Sequence, residues 1–463
     1  MHLYMSGTPR NDPYQSVENR MNTHRLFSMH GEYEKQVMRW LEDIKSGILD
    51  AKQYLLAYPQ HVDLIKNRDA RRREAQADYG RSVDWDTAEV LETVCQKLDG
   101  RPFPRAILLD SGAFTAWNKG EVTTVDDVKR KYSKFIDMAG DTFEEIWGIN
   151  LDVIPGEKGR DPTLDELKRA TEVSDINFEI LVKEFGDIIL PVYHQGESVE
   201  RLRENVAQVD GKSNYICISP RNDLAEGYRV KWSRDAHAEL TRNYPHIMTH
   251  GLATTGNKMV RTVPWYSGDS AAWVQHGGYG MIDIFHDEDH SFGKKKDPHY
   301  MNYFVSFEDV RYDLSGSCVN RDGELVEVSS LGLSPDSKMA DVAAALKAAG
   351  VHEDAFPFAG RSLERVPVID SKGVPVLDDG VQRFEMKTVG GHMHDAGKSY
   401  SVLPAEQQAY IRSRVEALGF PFEIAIWDSR VRNLICMAEF VTFAEWAKTS
   451  TKDAGQTYLL GDL

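Results

Sequence analysis

Short apolar runs alternate with amphipathic stretches over the first part of the chain, and this alternation constrains the fold more than any other feature. The runs are Leu3–Ser6, Ala106–Leu109, Ile146–Leu151, Ile188–Tyr193, Tyr215–Ser219, His246–His250, Thr262–Tyr266 and Gly280–Phe285. Between them apolar residues recur at helical spacing, as in Val37, Trp40, Leu41, Ile44 and Ile48, or Val125, Val128, Tyr132, Phe135 and Ile136. Thr163 followed by Glu166, behind Pro162, forms a capping-box pattern that opens a further helix. Strands alternating with helices predict an α/β protein, and eight of them predict a closed TIM (β/α)8 barrel. A doubly wound open sheet is the alternative. The barrel is preferred because polar residues follow at least five of the runs. Barrels draw reactive groups from many strand ends, whereas an open sheet gathers them at one switch point.

The stretch 301–400 reads differently. It is rich in turns, such as Asn320-Arg321-Asp322-Gly323 and Asp378-Asp379-Gly380, with short β-like pieces and one clear helix from Met339 that stops at Gly350. Helical patterns return from Pro404 to Gly419 and from about Arg430 to Ala447. The expected organisation is a catalytic barrel over 1–300, a small inserted or appended α+β region over 301–400, and C-terminal helices over 401–463 that return to the barrel.

Composition bounds the function. Four widely separated cysteines (Cys95, Cys217, Cys318, Cys436) form no CxxC pair, which argues for reduced thiols, a cytoplasmic setting and no cysteine-based zinc site. No run approaches the length of a membrane span, and the N-terminus has no signal-peptide pattern. The net charge of −17 disfavours indiscriminate nucleic-acid binding. Local basic clusters nevertheless occur at Arg68 and Arg71–Arg73, at Lys129–Lys131 with Lys134, and at Lys294, Lys295 and Lys296. His286–His290 and His392–Asp395 contain ligand-type side chains, and solvent-exposed polar loops are the preferred reading, so no metal is expected.

Five strand ends carry groups suited to a planar, hydrogen-bonding ligand. They are Asp110-Ser111-Gly112-Ala113-Phe114, Asn150-Leu151-Asp152, His194-Gln195-Gly196, His250-Gly251-Leu252-Ala253-Thr254-Thr255-Gly256, and Gly268-Asp269-Ser270-Ala271-Ala272-Trp273. Each has an ordinary structural alternative, such as a helix cap or a loop turn. Their joint occurrence at successive strand ends points to one site.

This ordered set resembles the tRNA-guanine transglycosylase superfamily, most closely the branch in bacteria and their phages that inserts 7-deazaguanines into DNA. The resemblance covers roughly residues 1–290 and resumes at Arg430-Val431-Arg432-Asn433-Leu434. It implies a TIM barrel that exchanges guanine for a 7-deazaguanine base, such as 7-cyano-7-deazaguanine, without cutting the backbone or using a cofactor. By motif, Asp269 matches the nucleophile and Asp110 the residue that handles the base and the proton. Ser111 and Phe114 match residues that line and stack on the base. Asp152 and Gln195 match readers of its polar edge, and Gly251 and Leu252 match the backbone reader. The DNA substrate would present a flipped or single-stranded guanine, with Lys294, Lys295 and Lys296 holding phosphates.

The chain departs from the family pattern in several places. DSGAF stands for DSGG[FY], a histidine precedes QG, GLATTG lacks an acidic residue, and the tRNA enzymes' zinc ligands are absent. The missing zinc ligands and the GDSAAW sequence disfavour tRNA as substrate. A tRNA enzyme and an N-glycosyl hydrolase remain the alternatives.

Overall fold

The structure is a computed structural model. It describes residues 1–21, 24–78, 85–98, 102–156, 161–292, 298–305, 317–333, 337, 339–351, 361–367, 377–378, 381–382, 384–390, 400 and 403–453. The chain divides into two compact units, Met1–Val274 with Met437–Leu463, and Gln275–Cys436.

The first unit is a parallel barrel with outer helices. Its strands are β1 (His2–Ser6), β2 (His24–Ser28), β3 (Ala106–Asp110), β4 (Glu145–Ile149), β5 (Ile189–Leu190), β6 (Val192–His194), β7 (Tyr215–Ser219), β8 (Met248–Gly251) and β9 (Ser267–Ser270). Hydrogen bonding runs in the order β5-β4-β3-β2-β1-β9-β8-β7-β6. Pro191 separates β5 from β6, because proline has no N–H to give to a ladder. Its carbonyl still accepts from the Cys217 N–H at 2.9 Å. The two segments are therefore halves of one strand, and the barrel has eight staves.

Alternation along each stave decides which groups face the interior. On β3, Ile107 and Leu109 pack outward against the helices with Trp40, Val128 and Tyr132. Ala106 and Leu108 pack inward with Tyr4, Leu26, Cys217 and Tyr215. Asp110, next in the inward series, stands at the C-terminal end of the strand. The outer layer forms for local reasons. In the helix Val125–Ala139, Thr124 accepts from the Asp127 N–H, and Val128, Tyr132 and Phe135 are buried. Gly140 ends that helix at φ +51°, a conformation that favours glycine. The helix Leu164–Phe185 opens with the expected capping box between Thr163 and Glu166.

Two strand expectations are corrected, and one strand, β2, was not foreseen. The sequence of β2, His24-Arg25-Leu26-Phe27-Ser28, is broken by a charge, and the structure accommodates Arg25 by burying it beside Glu18 at 3.3 Å. Thr262–Tyr266 is not a strand. Thr262 closes a short helix, and the stave that follows is β9, whose four residues are all buried despite being small or polar. Packing between β1 and β8 overrides their low strand propensity. Gly280–Phe285 does overlap a strand, β10 (Met281–His286), but it pairs antiparallel with β11 (His299–Phe304) in the second unit.

That second unit is α+β. It has its own small core of Met281, Phe304, Cys318, Val328, Val342, Leu346 and Val351. The expected helix is present as Met339–Ala348, and Gly350 follows it at φ +78°. All four cysteines are buried and unpaired. Among the described residues no helix is long and apolar enough to cross a membrane.

Candidate active site

The C-terminal ends of the staves carry three aspartates. The charges of Asp152 and Asp269 both bear on Asp110, and all three bear on the buried thiol of Cys217. The sequence-predicted carboxylates thus belong to one constellation.

Asp110 is placed by the turn that follows it. Gly112 adopts φ +81°, and a Cβ there would lie 2.6 Å from the Cβ of His30, so the third position of the DSG triplet admits only glycine. Tyr132 ties this end down, with its hydroxyl 2.8 Å from the carbonyls of both Leu109 and Ile149. Burial pushes the Asp110 carboxyl up to about 7. The charges of Asp152 and Asp269 add to that effect, while the Gly112 N–H opposes it. Ser111 is buried, and its Oγ lies 3.4 Å from the Ala113 N–H. Phe114 is 50% exposed, with its ring beside Trp117, and so presents a free aromatic face.

Asp269 is held from three sides. The Ser6 hydroxyl donates to its Oδ2 at 2.6 Å, and the Ala253 N–H donates to its Oδ1 at 2.8 Å. The His250 Nε2 lies 3.4 Å from Oδ1. Ala253 reaches it from an unusual backbone position, φ +53°. The loop can fold so tightly because two glycines lie beneath it. A Cβ on Gly251 would meet Thr254 Oγ1 at 2.2 Å, and one on Gly268 would meet the same atom at 3.0 Å. The tryptophan of the GDSAAW segment has a structural part: Trp273 Nε1 donates to the Ser6 carbonyl at 2.7 Å and so positions the residue that grips Asp269.

Asp152 is buried and accepts from His194 Nε2 at 2.8 Å. Burial alone would lower the His194 pKa. The hydrogen bond and charge of Asp152, with Glu197 behind, outweigh it and hold the pKa above the ordinary value. The outer helix Leu164–Phe185 fixes this loop, since Asn177 Nδ2 donates to the Leu151 carbonyl at 2.8 Å and Ser174 Oγ accepts from the Val153 N–H at 2.8 Å. Gln195 uses its carbonyl to accept from the Arg221 N–H at 3.0 Å, which leaves its NH2 as the end that can donate. The Leu252 N–H is spent on the Ile218 carbonyl at 3.0 Å, so its carbonyl is the backbone group it has to offer.

Sequence reasoning missed Ser6, His194 and His250 as site residues. His194 and His250 lay inside quoted motifs. Ser6 lies 263 positions from its partner and carries no local signal.

Other candidates separate from this cluster. Lys294, Lys295, Lys296 and His392–Asp395 lie outside the described residues. The triple lysine follows β10 rather than a barrel stave, which removes the reason for placing it at the barrel mouth. Lys129 pairs with Glu184 at 2.6 Å, and Arg130 and Lys134 both pair with Glu34, so that cluster is largely neutralised. His286 Nδ1 bonds the His290 carbonyl and its Nε2 lies 2.8 Å from the Tyr303 hydroxyl on β11, while His290 Nδ1 bonds Asp287, which engages both rings within the protein. Among the described residues no group of three or more His, Cys, Asp or Glu side chains is arranged to hold a metal.

Chemically, the arrangement offers a carboxylate gripped by fixed donors, a second carboxyl that holds a proton near neutrality, and a third carboxylate aligned by a histidine. No protein-family model matches the chain, and no curated protein matches it.

Proposed function

We propose that this chain is a base-exchanging transglycosylase that replaces guanine in DNA with a 7-deazaguanine through a covalent aspartyl intermediate. One observation carries the reading: Asp269, clamped by the Ser6 and Ala253 donors, shares a site with Asp110, whose carboxyl is pushed up to about 7. A retained configuration at a glycosidic carbon calls for two displacements and two carboxyl groups in different protonation states.

In the first displacement Asp269 forms a bond to C1′ as the C1′–N9 bond breaks. Guanine leaves with that electron pair and takes the proton of Asp110. In the second, the incoming base gives its N9 proton to Asp110 and attacks C1′, and the electron pair of the ester C–O bond returns to Asp269. Guanine offers donors at N1 and N2 and an acceptor at O6. Asp152, oriented by His194, suits the donors, and the Gln195 NH2 suits O6. Adenine would set an acceptor against the buried Asp152 carboxylate, which disfavours it.

Labelled guanine incubated with DNA or with tRNA separates the substrates. Label is expected to enter DNA, and label entering tRNA alone would reject the DNA assignment. Release of free guanine with no incorporation of any added base would make the chain an N-glycosyl hydrolase. Asp269→Asn is expected to lower exchange by at least about a thousandfold, because the nucleophile itself is lost. Nucleoside mass spectrometry of DNA from cells expressing the chain, with deazaguanine precursors present, identifies the inserted base.

A further inference from the structure

His250 is wholly buried on β8, and its Nε2 has no hydrogen-bond partner among the described residues, although it lies 3.4 Å from Asp269 Oδ1. Its other nitrogen, Nδ1, lies 2.6 Å from Ser267 Oγ. Ser267 Oγ in turn bonds the hydroxyl of Tyr215. All three side chains are sealed inside the barrel, and the Tyr4 ring packs edge-to-face with the His250 ring at 5.4 Å between centroids.

The order of protons along this chain follows from its far end. Ser267 is the one hydrogen-bond partner of the Tyr215 hydroxyl among the described residues. A buried O–H that finds no acceptor is costly, so Tyr215 donates to Ser267. Ser267 then turns its own proton toward His250 Nδ1, which must accept. The single proton of a neutral imidazole is thereby confined to Nε2, the atom that faces Asp269.

We propose that the Tyr215–Ser267–His250 chain is a tautomer lock, and that His250 is a positioning residue which aims an N–H at the nucleophile. This rests on the transglycosylase reading of Asp269. At 3.4 Å the contact is longer than a formed hydrogen bond, as is common for such contacts before substrate binds. Asp269 loses its negative charge when its oxygen joins C1′ and regains it when the ester C–O bond breaks and the electron pair returns. A donor fixed beside Oδ1 stabilises the charge as it reappears, so its effect falls mainly on the second displacement.

The test uses the full chain with ¹⁵N-labelled histidine, together with His250→Leu, His250→Gln and Tyr215→Phe. The wild-type signal that disappears in His250→Leu is expected to report a neutral Nε2–H tautomer. Tyr215→Phe should convert it to a mixture. In exchange assays His250→Leu is expected to slow turnover about ten- to a hundredfold, the effect of losing one donor to a charged group. The covalent adduct should accumulate in that variant, read by intact-protein mass. His250→Gln, whose amide N–H can occupy the Nε2 position, should recover most of the rate. An Nδ1–H tautomer in the wild type would overturn the proposal, as would a folded His250→Leu variant with near wild-type turnover and no adduct. If His250→Leu does not fold, Tyr215→Phe and the wild-type tautomer decide the matter, with the signal assigned through His250→Gln. A wild type that exchanges no base would refute the transglycosylase reading alone, because the tautomer is measured without substrate.

Discussion

Asp110 shows how a single side chain acquires a function from its surroundings. Its carboxyl sits at about 7, well above the ordinary aspartate range of about 3.9, because burial and two neighbouring carboxylates penalise its charged form. In the proposed reaction Asp110 protonates the departing guanine, so it would have to carry its proton when substrate binds. The kcat/KM of exchange is therefore expected to fall as pH rises through about 7, with a limb that disappears in Asp110→Asn, whose residual activity is low throughout. Stability should follow the same group. An acid whose pKa is raised by folding contributes stability that is fully present below its unfolded pKa and lost as pH rises through the folded one. Urea denaturation of the wild type between about pH 4 and pH 7 should show this decline, and Asp110→Asn should flatten it. At this scale the sequence was legible where a residue ends a strand: Asp110, Asp152 and Asp269 were all visible as carboxyls at or beside apolar runs. The groups that grip them were not. Ser6 meets Asp269 only when the first and last staves pair, and periodicity carries no information about that contact.

The elements of the site are strand ends and the loops that leave them, and these loops work through close packing. The segment after β8 delivers the Ala253 N–H to Asp269 because Gly251 leaves room for Thr254, whose hydroxyl donates back to the Gly251 carbonyl at 2.8 Å. Gly251→Ala would drive a methyl group against Thr254 Oγ1 and the Trp265 ring. The expected cost is about 1–3 kcal/mol in urea denaturation, as for other overpacked sites. Exchange activity should fall further than that loss of stability alone explains, since the Ala253 donor moves with the loop. A variant with wild-type activity would show that the donor is not needed. Helices were the most legible elements: the stretches around Val125 and Thr163 form with the expected faces and caps. Strands were less so. β9 is built from Ser267, Gly268, Asp269 and Ser270, and reads as a loop because its burial comes from neighbouring staves and not from its own apolar content. β2 was hidden by Arg25, a charge that is tolerated inside because Glu18 lies beside it.

At the scale of the molecule, the barrel was readable because alternation of strand and helix is a property of the whole chain, and it survives errors in single strands. The partition into two units was less readable. β10 has the apolar composition of a barrel stave, and only its antiparallel partner, which follows it closely in sequence, reveals that it belongs to the second unit. Net charge bears on the proposed DNA substrate, because a chain of −17 would bind DNA only by gathering positive charge locally. The cluster on the helix Val125–Ala139 is a poor source, since Lys129, Arg130 and Lys134 already face Glu184 and Glu34. Outside that helix the sequence has two runs of three consecutive cations, Arg71–Arg73 and the lysines Lys294, Lys295 and Lys296 expected to hold phosphates. If Lys294, Lys295 and Lys296 hold phosphates, replacing all three by alanine should weaken binding of single-stranded DNA. The slope of log K against log salt should also become shallower by about 2, since each phosphate contact on a single strand contributes roughly 0.7. Alanine at Lys129, Arg130 and Lys134 should leave that slope nearly unchanged. Equal slopes for wild type and the triple variant at 294–296 would mean that those lysines are solvated and that the DNA is held elsewhere.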